Sequence, residues 1–170
     1  MSKRIELYDT AYGNFDNKVL QEIRRDAFED DIGQNSWITT DEFTRLLKHL
    51  RLKETSNVVE VGCGSGGPSL FMARIFGCHV TGIDINEKAI ATADEMARAE
   101  RLDSLVRFSQ SDAGNALPFD SMTFDSVTCI DSINHFSGPS AIPQGVTPRP
   151  ETRREIVVHR PYHRNWFDPE

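Results

Sequence analysis

The ten residues VVEVGCGSGG, 58–67, constrain this chain more than any other stretch. A β-branched run ending in glycines reads as a strand entering a tight turn, and PSLFMARIFG then opens with Pro68 at a first helical position and closes on Gly77. Gly62, Gly64 and Gly67 satisfy G-x-G-x-x-G, and Asp84 falls 20 residues after Gly64, at the end of the next apolar run. A carboxylate there can take both hydroxyls of a ribose. Three glycines alone also occur as ordinary loop chemistry. The strand before them, the helix after them and the acid beyond favour a nucleoside-containing ligand.

The rest of the chain up to residue 131 agrees with such a fold. HVTGIDI (79–85) reads as a second strand, and Asn86 can cap a helix over EKAIATADEMARAERL whose Ile90 and Met96 look inward. VRFSQS (106–111) and DSVTCID (125–131) complete four strands. Alternation of strands with helices or loops predicts a parallel sheet with right-handed crossovers, an α/β doubly wound, Rossmann-like fold. Ahead of it, NKVLQEIRRDAFEDD (17–31) places Val19, Leu20, Ile23 and Phe28 on one helical face. Thr39 and Glu42 form a capping box before Phe43, Leu46, Leu47 and Leu50. The expected domains are therefore a helical cap over 1–52, a ligand-binding half domain over 53–136, and an atypical, irregular tail over 137–170.

Charge narrows the ligand. Net charge is −7, and residues 1–136 carry 14 Lys+Arg against 22 Asp+Glu. An acidic body disfavours nucleic acid, whose binding rests on clustered basic residues, and leaves small molecules as the expected partners. Apolar runs are too short to span a bilayer, and MSKRIELYDT lacks an apolar leader core, so a cytoplasmic location is expected. Cys63, Cys78 and Cys129 are odd in number and unclustered, which argues against disulfides or a metal site and for reduced core thiols.

Glu60, two residues before the first glycine, discriminates among nucleoside ligands. A carboxylate at this strand end repels pyrophosphate and suits a ligand bearing an ammonium group; a solvated strand-end charge is the plainer alternative. The order Glu60, Gly62, Gly64, Gly66, then GIDIN with Asp84, SDA with Asp112, LPF, and FDSVTCIDSINHF resembles the class I S-adenosylmethionine-dependent methyltransferase family of small-molecule type. The likeness covers about residues 34–136. It implies S-adenosyl-L-methionine as cofactor and a small-molecule methyl acceptor. It further implies that Gly62, Gly64 and Gly66 let backbone approach the methionine part and that Glu60 lies near its amino group. Asp84 would hold the ribose hydroxyls and Ile85 would pack on adenine. Asp112 would accept from the adenine 6-amino group, with Ala113 beside it; an Asp before Ala-Gly-Asn can also merely shape a turn.

Methyl transfer asks mainly for alignment, a dry site and sometimes a base. Asp131 and His135 fall just beyond the fourth strand, where the methyl position is expected, and are the catalytic candidates; a histidine at a strand–helix junction also serves as a hydrogen-bonded structural residue. Tyr8, Tyr12 and Trp37 could line a lid or sit in the core. Two rival functions remain open on sequence: a nicotinamide- or flavin-dependent oxidoreductase, and a non-catalytic binding fragment using its tail.

That tail departs from the family. Six of the eight prolines lie after residue 136, no lysine follows Lys88, and the later strands of the family are not legible, so the fourth strand is expected to become an exposed sheet edge. Read one base later, the codons for 150–166 permit a segment resembling the family's approach to its fifth strand, with Glu151 and Glu155 becoming Lys or Arg. The expectation is a frameshift near residue 137. A native disordered tail with Arg149, Arg153, Arg154, Arg160 and Arg164 against an acidic partner is the alternative, and EIVVH could add one strand.

Overall fold

A computed structural model describes residues 17–28, 30–33, 38–115, 117, 119–120, 122–132 and 154–158. The elements run α1 (Lys18–Phe28), α2 (Thr40–Leu50), β1 (Asn57–Val61), α3 (Gly67–Phe76), β2 (His79–Asp84), α4 (Glu87–Ala99), β3 (Val106–Gln110), β4 (Ser126–Ile130) and β5 (Arg154–Val158). The strands form one sheet in the order β3-β2-β1-β4-β5, and every pair is parallel. Strand order runs outward in both directions from β1, so the sheet is doubly wound and its switch point lies between β1 and β4.

The strand pleat sorts side chains to two apolar layers. Val58, Val80, Val106 and Ile130 join α2 and α3 residues Phe43, Leu47, Leu50, Leu70 and Met72 in one core cluster. Val59, Val61, Ile83, Val127 and Cys129 form the other, with Leu117 and Phe124. A period of two puts Glu60 on the Val58 face, the one that α3 covers.

Local chemistry explains where the helices begin and end. Thr39 Oγ1 accepts from Glu42 N–H at 3.2 Å while Thr39 N–H donates to Glu42 Oε2 at 3.2 Å, the capping box read from the sequence. Asn86 Oδ1 accepts from Ala89 N–H at 3.0 Å and starts α4. Gly77, left-handed at φ 65°, closes α3 by donating its N–H to the Ala73 carbonyl.

Two expectations are refined and one is corrected. On α1, Val19 and Ile23 of the apolar stripe are 60% and 55% exposed, while Leu20, Gln21 and Arg24 are half-buried. On α4, the fully buried residues are Ala89, Ala93 and Ala97; Met96 packs inward on the first core cluster but stays half-buried, as does Ile90. Alanine lets α4 approach the sheet closely, which the larger pair would prevent. Finally, β4 is not the edge of the sheet. Residues 154–158 of the tail pair with it, Ser126 opposite Arg154 through Ile130 opposite Val158, and α2 packs against the added strand. The strand falls where EIVVH suggested one; the remainder of the tail lies outside the described residues.

Candidate functional site

Three loops meet at the carboxyl ends of the central strands: the glycine turn after β1, the Asp84–Asn86 corner after β2, and Asp131–Ser132 after β4. In the glycine turn, Gly62, Gly64 and Gly66 have φ of 72°, 54° and 82°, values that residues with a β-carbon rarely adopt. The turn is fastened to β2, because Gly62 and Cys63 N–H groups both donate to the Ile83 carbonyl, at 2.8 and 3.0 Å. Gly66 also has a packing reason of its own: a β-carbon there would stand 2.5 Å from Cζ of Phe108 and 2.9 Å from Cβ of Ala93. At Gly67 the same atom would lie 2.3 Å from the Ile32 carbonyl oxygen, so residues 31–33 pass directly over the turn.

Asp84 is the junction of two loops. Its Oδ2 accepts from Gly64 N–H at 2.8 Å and its Oδ1 from Asn86 N–H at 2.9 Å. Each carboxylate oxygen keeps a further lone pair for a ligand. Ile85, next to it, is 55% exposed, and its carbonyl accepts from Gln110 Nε2 at 3.0 Å. Asp112, after β3, accepts from Gly114 N–H and from Asn115 Nδ2, both at 2.8 Å. The turn-shaping role is therefore real and leaves the exposed carboxylate room for another donor. Ala113 is half-buried against the second core cluster.

Glu60 is not a solvated strand-end charge. It is 1% exposed, and Ser69 Oγ donates to its Oε2 from the first turn of α3. Burial pushes the carboxyl up to about 8, the Ser69 hydrogen bond opposes the rise, and the neighbouring Asp84 carboxylate adds to it. Ser69 was missed by sequence reasoning. The signal was present: Glu60 shares the Val58 face, and the helix covering that face carries a hydroxyl on its first turn.

Beyond β4, Asp131 is half-buried with φ 53°, a left-handed conformation that aspartate tolerates better than most residues. Ser132 Oγ donates to the Val61 carbonyl at 2.9 Å and lies 3.2 Å from Cys129 Sγ, tying the end of β4 to the end of β1. Ser132 too was not anticipated. His135, Tyr8, Tyr12 and Trp37 lie outside the described residues. Burial raises the thiols of Cys63 and Cys129, and that of Cys78 to about 11, so all three stay protonated at neutral pH. Among the described residues no cluster of His, Cys, Asp and Glu is arranged to hold a metal ion.

A left-handed glycine turn at the switch point of a doubly wound sheet, with an acid at the end of the next strand and an exposed aliphatic side chain beside it, lies where ligands bind in Rossmann-like folds. The model of the methyltransferase domain family matches residues 58–144, just over half of the 170 residues, and the chain belongs to the class I S-adenosylmethionine-dependent methyltransferases. It is 30% identical over 128 residues to 27-O-demethylrifamycin SV methyltransferase of Amycolatopsis mediterranei, a match covering 75% of this chain and 47% of that protein. Against sterol 24-C-methyltransferase of Kluyveromyces lactis it is 37% identical over 84 residues, 49% of this chain and 22% of the relative. Among solved structures, a SAM-dependent methyltransferase from Geobacter sulfurreducens in complex with S-adenosyl-L-homocysteine superposes with a TM-score of 0.57 at 25% identity, covering 68% of this chain and 47% of that one. The chain thus spans less than half the length of these curated relatives. Membership in this family sets aside the oxidoreductase reading.

Proposed function

We propose that this chain binds S-adenosylmethionine at the carboxyl ends of β1, β2 and β3 and, within the complete protein, takes part in methyl transfer to a small-molecule acceptor. The observation that carries the reading is the Gly64–Asp84 hydrogen bond, which sets an open-sided acid against a left-handed glycine turn. The residues fit such a cofactor. Asp84 retains lone pairs for ribose hydroxyls, exposed Ile85 offers an apolar face to adenine, and Asp112 offers an acceptor to its amino group. Gly62, Gly64 and Gly66 admit close backbone approach, and Glu60 supplies the carboxyl that an ammonium group calls for. A pyrophosphate would meet the Asp84 and Asp112 carboxylates instead of basic residues.

When bound, S-adenosylmethionine supplies a methyl carbon activated by its sulfonium. The chain's part is to orient that carbon toward the acceptor, exclude water, and relieve the acceptor of a proton where the acceptor carries one. Asp131, or His135 a few residues on, is assigned that proton. The names of the relatives, a rifamycin and a sterol methyltransferase, support an acceptor of small-molecule type. Three buried protonated thiols support a reducing, cytosolic setting, and no helix among the described residues is long and apolar enough to cross a membrane. The organisation into a cap over 1–52 and a cofactor half domain over 53–136 belongs to the same proposal.

Calorimetric titration tests it. S-adenosylhomocysteine is expected to bind and NAD is not; uptake of NAD with no response to S-adenosylhomocysteine overturns the reading.

A further inference from the structure

A polar relay runs from α1 to the middle of the glycine turn. Arg24 Nε donates to Asp31 Oδ1 at 2.9 Å, and both side chains are only 11% exposed. The same Oδ1 accepts from Gly33 N–H at 2.9 Å. Gly33 is left-handed at φ 75°, and its carbonyl accepts from Ser65 Oγ at 3.1 Å in a buried contact. Ser65 sits between Gly64, which bonds Asp84, and Gly66, which seats Phe108. Beside it, the place of the missing Gly67 side chain is filled by the Ile32 and Gly33 backbone, whose atoms would lie 2.3–2.4 Å from a β-carbon.

We infer that Arg24 and Asp31 are positioning residues for cofactor binding, acting through Gly33 and Ser65 to hold the glycine turn in its ligand-accepting shape. The inference rests on the proposed S-adenosylmethionine reading for what the turn accepts. Two features separate it from plain structural support. The relay ends on a turn residue rather than in either core cluster. And α1 leaves Val19 and Ile23 60% and 55% exposed, so these two apolar side chains do little to hold the helix down. Ile32 packs against the first core cluster and Thr40 Oγ1 donates to the Asp30 carbonyl, so the poorly exposed ion pair adds to these anchors and sets how Gly33 presents its carbonyl to Ser65. Removing Arg24 takes the cation away from an Asp31 carboxylate that is only 11% exposed.

The test uses the full chain and four variants: Arg24→Ala, Arg24→Lys, Ser65→Ala and the Arg24→Ala/Ser65→Ala double. S-adenosylhomocysteine affinity and amide hydrogen exchange across 62–67 are measured, with melting temperature as control. Arg24→Ala and Ser65→Ala are each expected to weaken binding about tenfold, or about 1.4 kcal/mol, and to speed exchange in the turn by more than in the rest of the sheet, whatever melting temperature Arg24→Ala loses with its ion pair. Arg24→Lys, which keeps the charge, recovers part of the loss. If one relay is involved, the double variant loses no more than the worse single. Losses that multiply, or an Arg24→Ala protein with unchanged affinity and exchange, overturn the inference. Should Arg24→Ala fail to fold, Ser65→Ala and Arg24→Lys carry the comparison. Should the parent chain ignore S-adenosylhomocysteine, the functional reading fails, while exchange in the ligand-free protein still decides whether Arg24 holds the turn.

Discussion

Ser69 donates a hydrogen bond from the first turn of α3 to the carboxyl of Glu60, which is buried on the β1 face beneath that helix. A buried acid answered by a hydroxyl rather than a cation is stable when neutral, and the neutral form is what burial favours.

Stability should therefore fall as pH rises through the neutral range. Below about 4.5, the ordinary value for the side chain, Glu60 is protonated in folded and unfolded chains alike and its contribution is fully present. Between there and about 8 only the unfolded chain ionises, so unfolding is favoured by up to about 1.4 kcal/mol per pH unit. Above about 8 the contribution is gone. Urea titrations from pH 5 to 8 on the parent and on Glu60→Gln check this; the variant should show the flatter profile, and parallel profiles would discard a neutral Glu60.

Cofactor binding should release a proton in that same window. An ammonium group placed near Glu60 favours the carboxylate, lowering the value from about 8. Titration of S-adenosylhomocysteine at pH 7 in two buffers of different ionisation enthalpy reads the proton directly. Equal heats in both buffers would show Glu60 to be uninvolved.

Asp84→Ala removes two structural bonds together with the ribose acceptor. Gly64 and Asn86 lose the partners of their N–H groups, which costs about 1–3 kcal/mol of stability. S-adenosylhomocysteine affinity should drop at least about tenfold. Affinity that survives while melting falls would confine Asp84 to turn geometry.

Gly66→Ala should be much worse than Gly114→Ala. At Gly66 a methyl group meets Phe108 at 2.5 Å with φ at +82°, whereas at Gly114 the nearest neighbour is Asp112 Oδ1 at 3.1 Å. Strain and overpacking together put the first at about 2–4 kcal/mol. Thermal melts of the two variants rank them, and similar melting points would contradict the packing around Gly66.

Removing residues 137–170 should make the protein aggregate. Every residue of β4 is buried, and without β5 its backbone groups become an open, apolar edge. Light scattering at increasing concentration distinguishes this from a tolerated deletion.

The central architecture was legible because its signals are local: β-branched runs of five or six residues, glycines at turns, Thr39 with Glu42, and Asn86 each act within a few positions. The acids at strand ends were legible for the same reason. Periodicity failed on α1, since it tells which residues share a face and not whether anything covers that face. On α4 it pointed to the large residues, whereas the close approach at Gly66 and Phe108 admits only the alanine stripe. Ser69 and Ser132 act through partners 9 and 71 residues away; the first could be reached only by asking which helix covers the Glu60 face, and the second has no local pattern at all. EIVVH offered one strand in a tail that proline and arginine otherwise made irregular, but its pairing beside β4 was not legible, because partners 28 residues apart leave no local pattern.

The clamp between Asn57 and Asp125 joins strand starts 68 residues apart, the Asn57 N–H reaching Asp125 Oδ2 and the Asp125 N–H reaching the Asn57 carbonyl, each at 2.8 Å. A ribosome delivers β1 long before β4 exists to flank it. Until the later piece emerges, β1 has a paired strand on the β2 side alone, and the Asp131–Ser132 side of the proposed site is still unmade. Completion of the binding place is thus a late event in the life of the nascent polypeptide, set by long-range closure rather than by any nearby signal.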